Sequence, residues 1–205
     1  MSERDGTNPM LDCHAQMRVR RGMNARLLRL GLAGAVAFAT ILPMVSRAQG
    51  YPFSQRGSVS QSVAFTEITI TYGRPVARGR VLFGQLVPWD SIWHPGADSA
   101  SRITFNHDVV VERHEVRAGE YSMWLIPRER GPWTFILSRA AHVFHKPYPG
   151  SAEDALRVDV TPERGTHVET LAIYFPMVLR DHATMWIHWG ETVVPIRLVA
   201  PYRPE

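Results

Sequence analysis

From Val59 onward, apolar residues recur at every second position and nowhere hold a helical spacing for three turns. Val59, Gln61, Val63 and Phe65 form one line and Ile68, Ile70 and Tyr72 the next, with a bend expected at Thr66-Glu67. Period two marks a strand with one face toward a core. Ile103 and Phe105 precede a break at Asn106-His107, and Val109 to Glu112 resumes before Arg113-His114. Glu120 to Ile126 sets Tyr121, Met123 and Leu125 on one face and Ser122, Trp124 and Ile126 on the other, and Trp133 to Leu137 returns after the Gly131-Pro132 turn. Leu156-Val158-Val160, Leu171-Ile173-Phe175, Met185-Ile187-Trp189 and Val194-Ile196-Leu198 complete the series. Trp189-Gly190-Glu191-Thr192 reads as a two-residue hairpin with Gly190 first in a type II′ turn. Nine or ten closely spaced strands in about 140 residues predict an all-β single domain of two packed antiparallel sheets, a β-sandwich or jelly-roll.

The boundaries follow from where alternation starts and stops: a leader over residues 1–48, a spacer over 49–57, the sandwich over 58–199 and a tail over 200–205. In the leader, arginines at 18, 20, 21, 26 and 29 precede an uncharged run from Leu30 to Ser46, and Ser46-Arg47-Ala48 offers small residues for cleavage. This is the layout of a secretory signal peptide, which predicts a periplasmic or secreted chain beginning near Gln49. The competing reading is an uncleaved membrane anchor, which would tie the protein to the membrane through the leader alone. Met23 opens a complete signal peptide by itself, so residues 1–22 read as an upstream extension.

Charge changes the picture once the leader is set apart. The formal net charge of +4 belongs to the first 48 residues, and from Gln49 onward basic and acidic residues balance. A neutral domain removes the compositional argument for nucleic acid as a partner. The single cysteine, Cys13, lies in the leader, so the exported domain has neither thiolate chemistry nor a disulfide.

One segment resists the alternating pattern. Tyr72 to Asp98 holds three arginines, four glycines, three prolines and two tryptophans. A stretch this long and irregular inside a domain is either functional or disordered, and Trp89 and Trp93 argue for order because large aromatics are held by packing. The pattern Tyr72-Gly73-Arg74-Pro75, Gly79-Arg80, Phe83-Gly84, Leu86-Val87-Pro88, Trp93 and Gly96-Ala97-Asp98, with Ala118-Gly119-Glu120-Tyr121-Ser122 beyond it, resembles the signature of the bacterial family known as domain of unknown function 2911. The resemblance covers about residues 58–199. His94 stands where that pattern has arginine, and Asp98 where asparagine is frequent. The resemblance implies a fold and a location for a site, but no chemistry.

Within the segment, Arg74 and Arg80 flank a Gly/Pro-rich bend where guanidinium groups could hold a carboxylate or phosphate. The alternative is that they pair with Asp90 or Asp98 or cap strand-end carbonyls. Trp93, with Trp124 from a later strand, could form an aromatic platform for a sugar, or could plug the core. His94 with Asp98 could supply acid and base for hydrolysis of sugars or esters. The candidate ligand site is therefore Arg74, Arg80, Trp93, His94, Asp98 and Trp124. His142-Val143-Phe144-His145 is a weak metal signal without a third ligand or a helix, and no metal or other cofactor is expected. No Gly-x-Ser-x-Gly elbow, phosphate-cradling glycine loop or Ser-x-x-Lys is present, so no catalytic residue is assigned and binding is favoured over catalysis. The sequence points to a small molecule or an envelope partner at the 72–98 loop, with an envelope scaffold lacking any pocket as a further alternative.

Overall fold

In the computed structural model the described residues are 54–201, so the leader, its cleavage site and the Met23 alternative lie outside them. The described residues form ten strands: β1 (Gln55–Val63), β2 (Thr66–Arg74), β3 (Arg102–Phe105), β4 (Val109–Val111), β5 (His114–Val116), β6 (Gly119–Ile126), β7 (Trp133–Ser138), β8 (Asp154–Val160), β9 (Glu163–Val178) and β10 (His182–Val199). The first strand starts at Gln55, inside the segment expected as a spacer. They build a six-stranded sheet in the order β1-β2-β3-β6-β7-β8 and a four-stranded sheet in the order β5-β4-β10-β9. All the pairings between these strands are antiparallel. The all-β sandwich expected from the alternation is the fold.

The core lies between the sheets, where the alternating residues meet: Ile68, Ile70, Ile103, Phe105, Met123, Leu125, Phe135 and Leu137 from one, Leu171, Ile173, Met185, Ile187, Ile196 and Leu198 from the other. Tyr72 crosses this interface. Its hydroxyl receives the Ile173 N–H at 2.9 Å and faces the Ile173 carbonyl at 3.4 Å, so β2 and β9 are joined by a polar contact inside an apolar layer. The middle of the larger sheet is covered on its outer face as well. There Trp124, Ile136 and Ala100 form a second small core with Ile92, Val143 and Tyr148.

Two sequence expectations are corrected. The β1–β2 hairpin turns at Ala64-Phe65 rather than at Thr66-Glu67, because Val63 pairs with Thr66. Ala64 takes the left-handed φ of 50°, and Phe65, expected on the buried line, is 69% exposed. The expected hairpin at Trp189–Thr192 is instead the middle of one long strand, β10. Gly190 has a φ of 60°, and the register against β9 shifts on both sides of it. The buried line changes phase there, from Met185-Ile187-Trp189 to Val194-Ile196-Leu198, without the chain reversing, and the extra residues of the register lie on β9, which runs from Ala172 to Val168 while β10 runs from His188 to Gly190. The partner strand has its own irregularity near Pro176, where a residue without an N–H is tolerated because the ladder is already broken.

Candidate functional site

Residues 75–101 connect β2 to β3, and they are held like secondary structure. The first turn of the segment pairs with the free edge of β9: Leu171 N–H donates to the Pro75 carbonyl at 2.9 Å and Ala77 N–H to the Glu169 carbonyl at 2.8 Å. The last part lies along β6 where β3 no longer reaches. Trp93 and Leu125 exchange backbone hydrogen bonds of 2.8 and 2.7 Å, Asp90 N–H reaches the Pro127 carbonyl at 2.8 Å, and Met123 N–H reaches Ser101. The segment therefore runs from one sheet to the other.

Aromatic packing pins its middle. Phe83 contacts Trp89, Trp93, Trp133 and Trp189 at centroid distances between 4.8 and 6.4 Å, and Trp93 stacks on Trp189 at 6.0 Å with an interplanar angle of 15°. Such rings hold one another by large buried area and by favourable edge and face geometry. Gly73 fixes the far end, because a Cβ there would meet the backbone of Ala97, with the nitrogen and carbonyl carbon both at 2.9 Å. Arg78, Asp90 and Asp98 all sit at left-handed φ between 53° and 64°, a costly conformation for residues other than glycine. This irregular course leaves a cleft of about 320 Å³, within the size range of small-molecule sites.

The cleft has an apolar wall of Trp93, Trp189, Leu86, Val87 and Ile92 and a polar complement of Arg78, Arg80, His94, Asp98, His145 and Lys146. His94 is 4% exposed, and its Nδ1 has no hydrogen-bond partner. Burial first, and then its neighbours His145 and Arg56, push its pKa down to about 4, so at neutral pH the ring is uncharged. The His145 ring lies 6.1 Å from it, centroid to centroid, and its Nδ1 is likewise buried and unpartnered. Buried polar atoms are almost always satisfied, so two orphaned ring nitrogens on histidines that line one cleft are unusual. Asp98 lines the same cleft, yet among the described residues no hydrogen bond or ion pair joins it to His94.

The other expected residues separate. Arg80 lines the cleft, but its Nε and Nη2 donate to the carbonyls of Ala77 and Val76 at 2.9 and 2.6 Å, so the guanidinium is anchored to the bend. Arg74 stands at the end of β2, donates to the Leu171 carbonyl at 3.3 Å, and does not line the cleft. Trp124 is 1% exposed and hydrogen-bonds Ser122, so it backs the site: its ring edge meets His94 at 5.8 Å. Residues 139–150 cover it, held by Ala100 N–H on the Val143 carbonyl at 3.0 Å.

His142 and His145 diverge. His142 sits on the other side of that cover with Arg102 at 2.8 Å and Glu120 at 2.7 Å, while His145 enters the cleft. Among the described residues no group of three or more His, Cys, Asp or Glu is placed to hold a metal ion. Sequence reasoning did not select Arg78, His145, Lys146 or Trp189 as ligand contacts. The one available signal was Lys146, the only lysine in the chain, beside His145.

No curated protein and no solved structure matches this chain. Residues 54–198, from just before the first strand to one residue short of the end of the last and including every described residue of the cleft, match the family described as protein of unknown function, DUF2911. The chain belongs to the DUF2911 family.

Proposed function

We propose that this protein is an exported domain that binds a small ligand in the cleft formed by residues 75–101, His145, Lys146 and Trp189. The observation that carries the reading is the cleft with His94 in its lining: a nearly fully buried, uncharged imidazole whose Nδ1 is closed to solvent and has no partner in the resting structure. Leaving such a group unsatisfied costs roughly 1–3 kcal/mol, a cost that a ligand's hydrogen bond removes. The strained φ values at Arg78, Asp90 and Asp98 support it too, since strain of this kind gathers where a site has been shaped. The cleft itself weighs against a scaffold with no pocket.

The test is a thermal-shift screen of the purified full chain against a small-molecule library. Ligands that raise the melting temperature should lose the effect in His94→Ala. A complete screen without a hit, or hits indifferent to His94→Ala, would make the loop structural. Export is tested by mass spectrometry of the N-terminus: a mature chain beginning near Gln49 is expected, whereas an intact 30–46 segment in the membrane pellet supports an anchor.

A second reading, hydrolysis of esters or sugars, draws on the same imidazole, which the lowered pKa keeps unprotonated at neutral pH, though as a weaker base than an ordinary histidine. It lacks an orienting carboxylate on Nδ1. Turnover on chromogenic substrates that vanishes in a folded His94→Ala protein would establish it.

A further inference from the structure

The sign of the charge around the cleft is not inherited from the domain. From Gln49 onward the chain is formally neutral, yet the cleft lining gathers Arg78, Arg80 and Lys146 against one lining carboxylate, Asp98, with Glu169 just outside it accepting the Arg78 backbone N–H at 2.6 Å. Lys146 makes no ion pair among the described residues. Arg80 is held in place through two of its nitrogens by backbone carbonyls, so its remaining N–H groups are presented without further ordering. Among the described residues the cleft lining contains no asparagine, glutamine or glutamate, the side chains that commonly read sugar hydroxyls through paired donors and acceptors. What remains is one anchored guanidinium, two further cations and two imidazoles around an aromatic wall.

Resting on the small-ligand reading above, we propose that the cleft recognises a small organic anion, a carboxylate or phosphate ester carried on a flat apolar body. Arg78, Arg80 and Lys146 hold the anionic group. The imidazoles of His94 and His145 flank it, and the apolar body rests against Trp93 and Trp189. Charge-assisted hydrogen bonds are the strong ones, and guanidinium groups match the planar fork of a carboxylate or two oxygens of a phosphate. A cleft of this volume accepts roughly a dozen non-hydrogen atoms at protein packing density. That is the size of an aromatic acid or its phosphate counterpart.

The experiment is isothermal titration of the full chain with four probes of one shape: benzoate, phenyl phosphate, benzyl alcohol and benzylamine. One anion should bind with 1:1 stoichiometry about tenfold or more tightly than benzyl alcohol, and benzylamine should bind no better than the alcohol. The tighter of the two anions identifies the group. Lys146→Gln and Arg78→Gln, both at exposed positions, should each weaken that anion several-fold, and Lys146→Gln should leave the melting temperature unchanged. If benzyl alcohol or benzylamine binds as tightly as the anions, or if both variants retain full anion affinity, the proposal is overturned and the small-ligand reading stands. The same holds if all four probes fail while the library screen yields ligands dependent on His94. A screen with no ligand of any charge sinks both.

Discussion

Replacing His94 with glutamine tests the electrostatics of the cleft through stability alone, before any ligand is known. In the folded chain the His94 pKa is pushed down to about 4 by burial, assisted by His145 and Arg56; in the unfolded chain it returns to the ordinary 6.5. Between those values the unfolded chain binds the extra proton, so stability must fall as pH falls. The contribution is intact above pH 6.5, is lost progressively below it, and is gone below pH 4. At about 1.36 kcal/mol per unit the full loss is roughly 3 kcal/mol, of which about 2 kcal/mol appears by pH 5. Urea unfolding at pH 7.5, 6 and 5 reads this directly: about 2 kcal/mol corresponds to a midpoint lower by about 1 M for a domain of this size. His94→Gln will have its own baseline stability, and only the slope matters. The wild-type midpoint should drop more steeply with acid than the variant's, by that margin. Parallel curves would mean that His94 titrates normally, and the picture of a desolvated imidazole in the cleft would be wrong.

Two further substitutions probe the frame around the site. Tyr72→Phe strips the only hydroxyl that receives the Ile173 N–H, and should destabilise the protein by roughly 1–3 kcal/mol in urea unfolding without altering its secondary structure by circular dichroism; a change below about 0.5 kcal/mol would show that the inter-sheet bond is not made in solution. Gly73→Ala forces a methyl group into the Ala97 backbone and should cost about 1–3 kcal/mol or more while moving the Gly96–Asp98 wall, seen as shifted amide resonances there; wild-type stability and unshifted resonances would refute the close approach.

How far the sequence reaches is plain from particular residues. Strands facing the core announce themselves because burial imposes period two, as in Ile68-Ile70-Tyr72. The phase at a turn is harder to read. Phe65 continues the apolar line from Val63, and only the two-residue pairing of Val63 with Thr66 reveals that the chain has already reversed. Around Gly190 the same ambiguity works in the opposite sense, since a register shift within a strand pair and a tight hairpin both reset the alternation. In the site, Arg80, Trp93, His94 and Asp98 lie together because one irregular segment carries them all. Arg74 belongs to the strand that precedes the segment, and Trp124 has its exposed-looking face covered by residues that follow much later. His145, Lys146 and Trp189 arrive from elsewhere in the chain, and local pattern holds no information about which distant residues a fold brings alongside.

The way residues 75–101 are bonded also sets the timescale of the site. Surface loops that line pockets usually open by local fluctuations far smaller than global unfolding. Here the amides of Ala77, Asp90 and Trp93 are tied into the edges of two different sheets, and five aromatic rings bind the span between them to the core. Opening the cleft wide therefore means peeling one sheet from the other. The mouth admits what fits its resting shape, and its lining amides should exchange with solvent as slowly as those of the central strands.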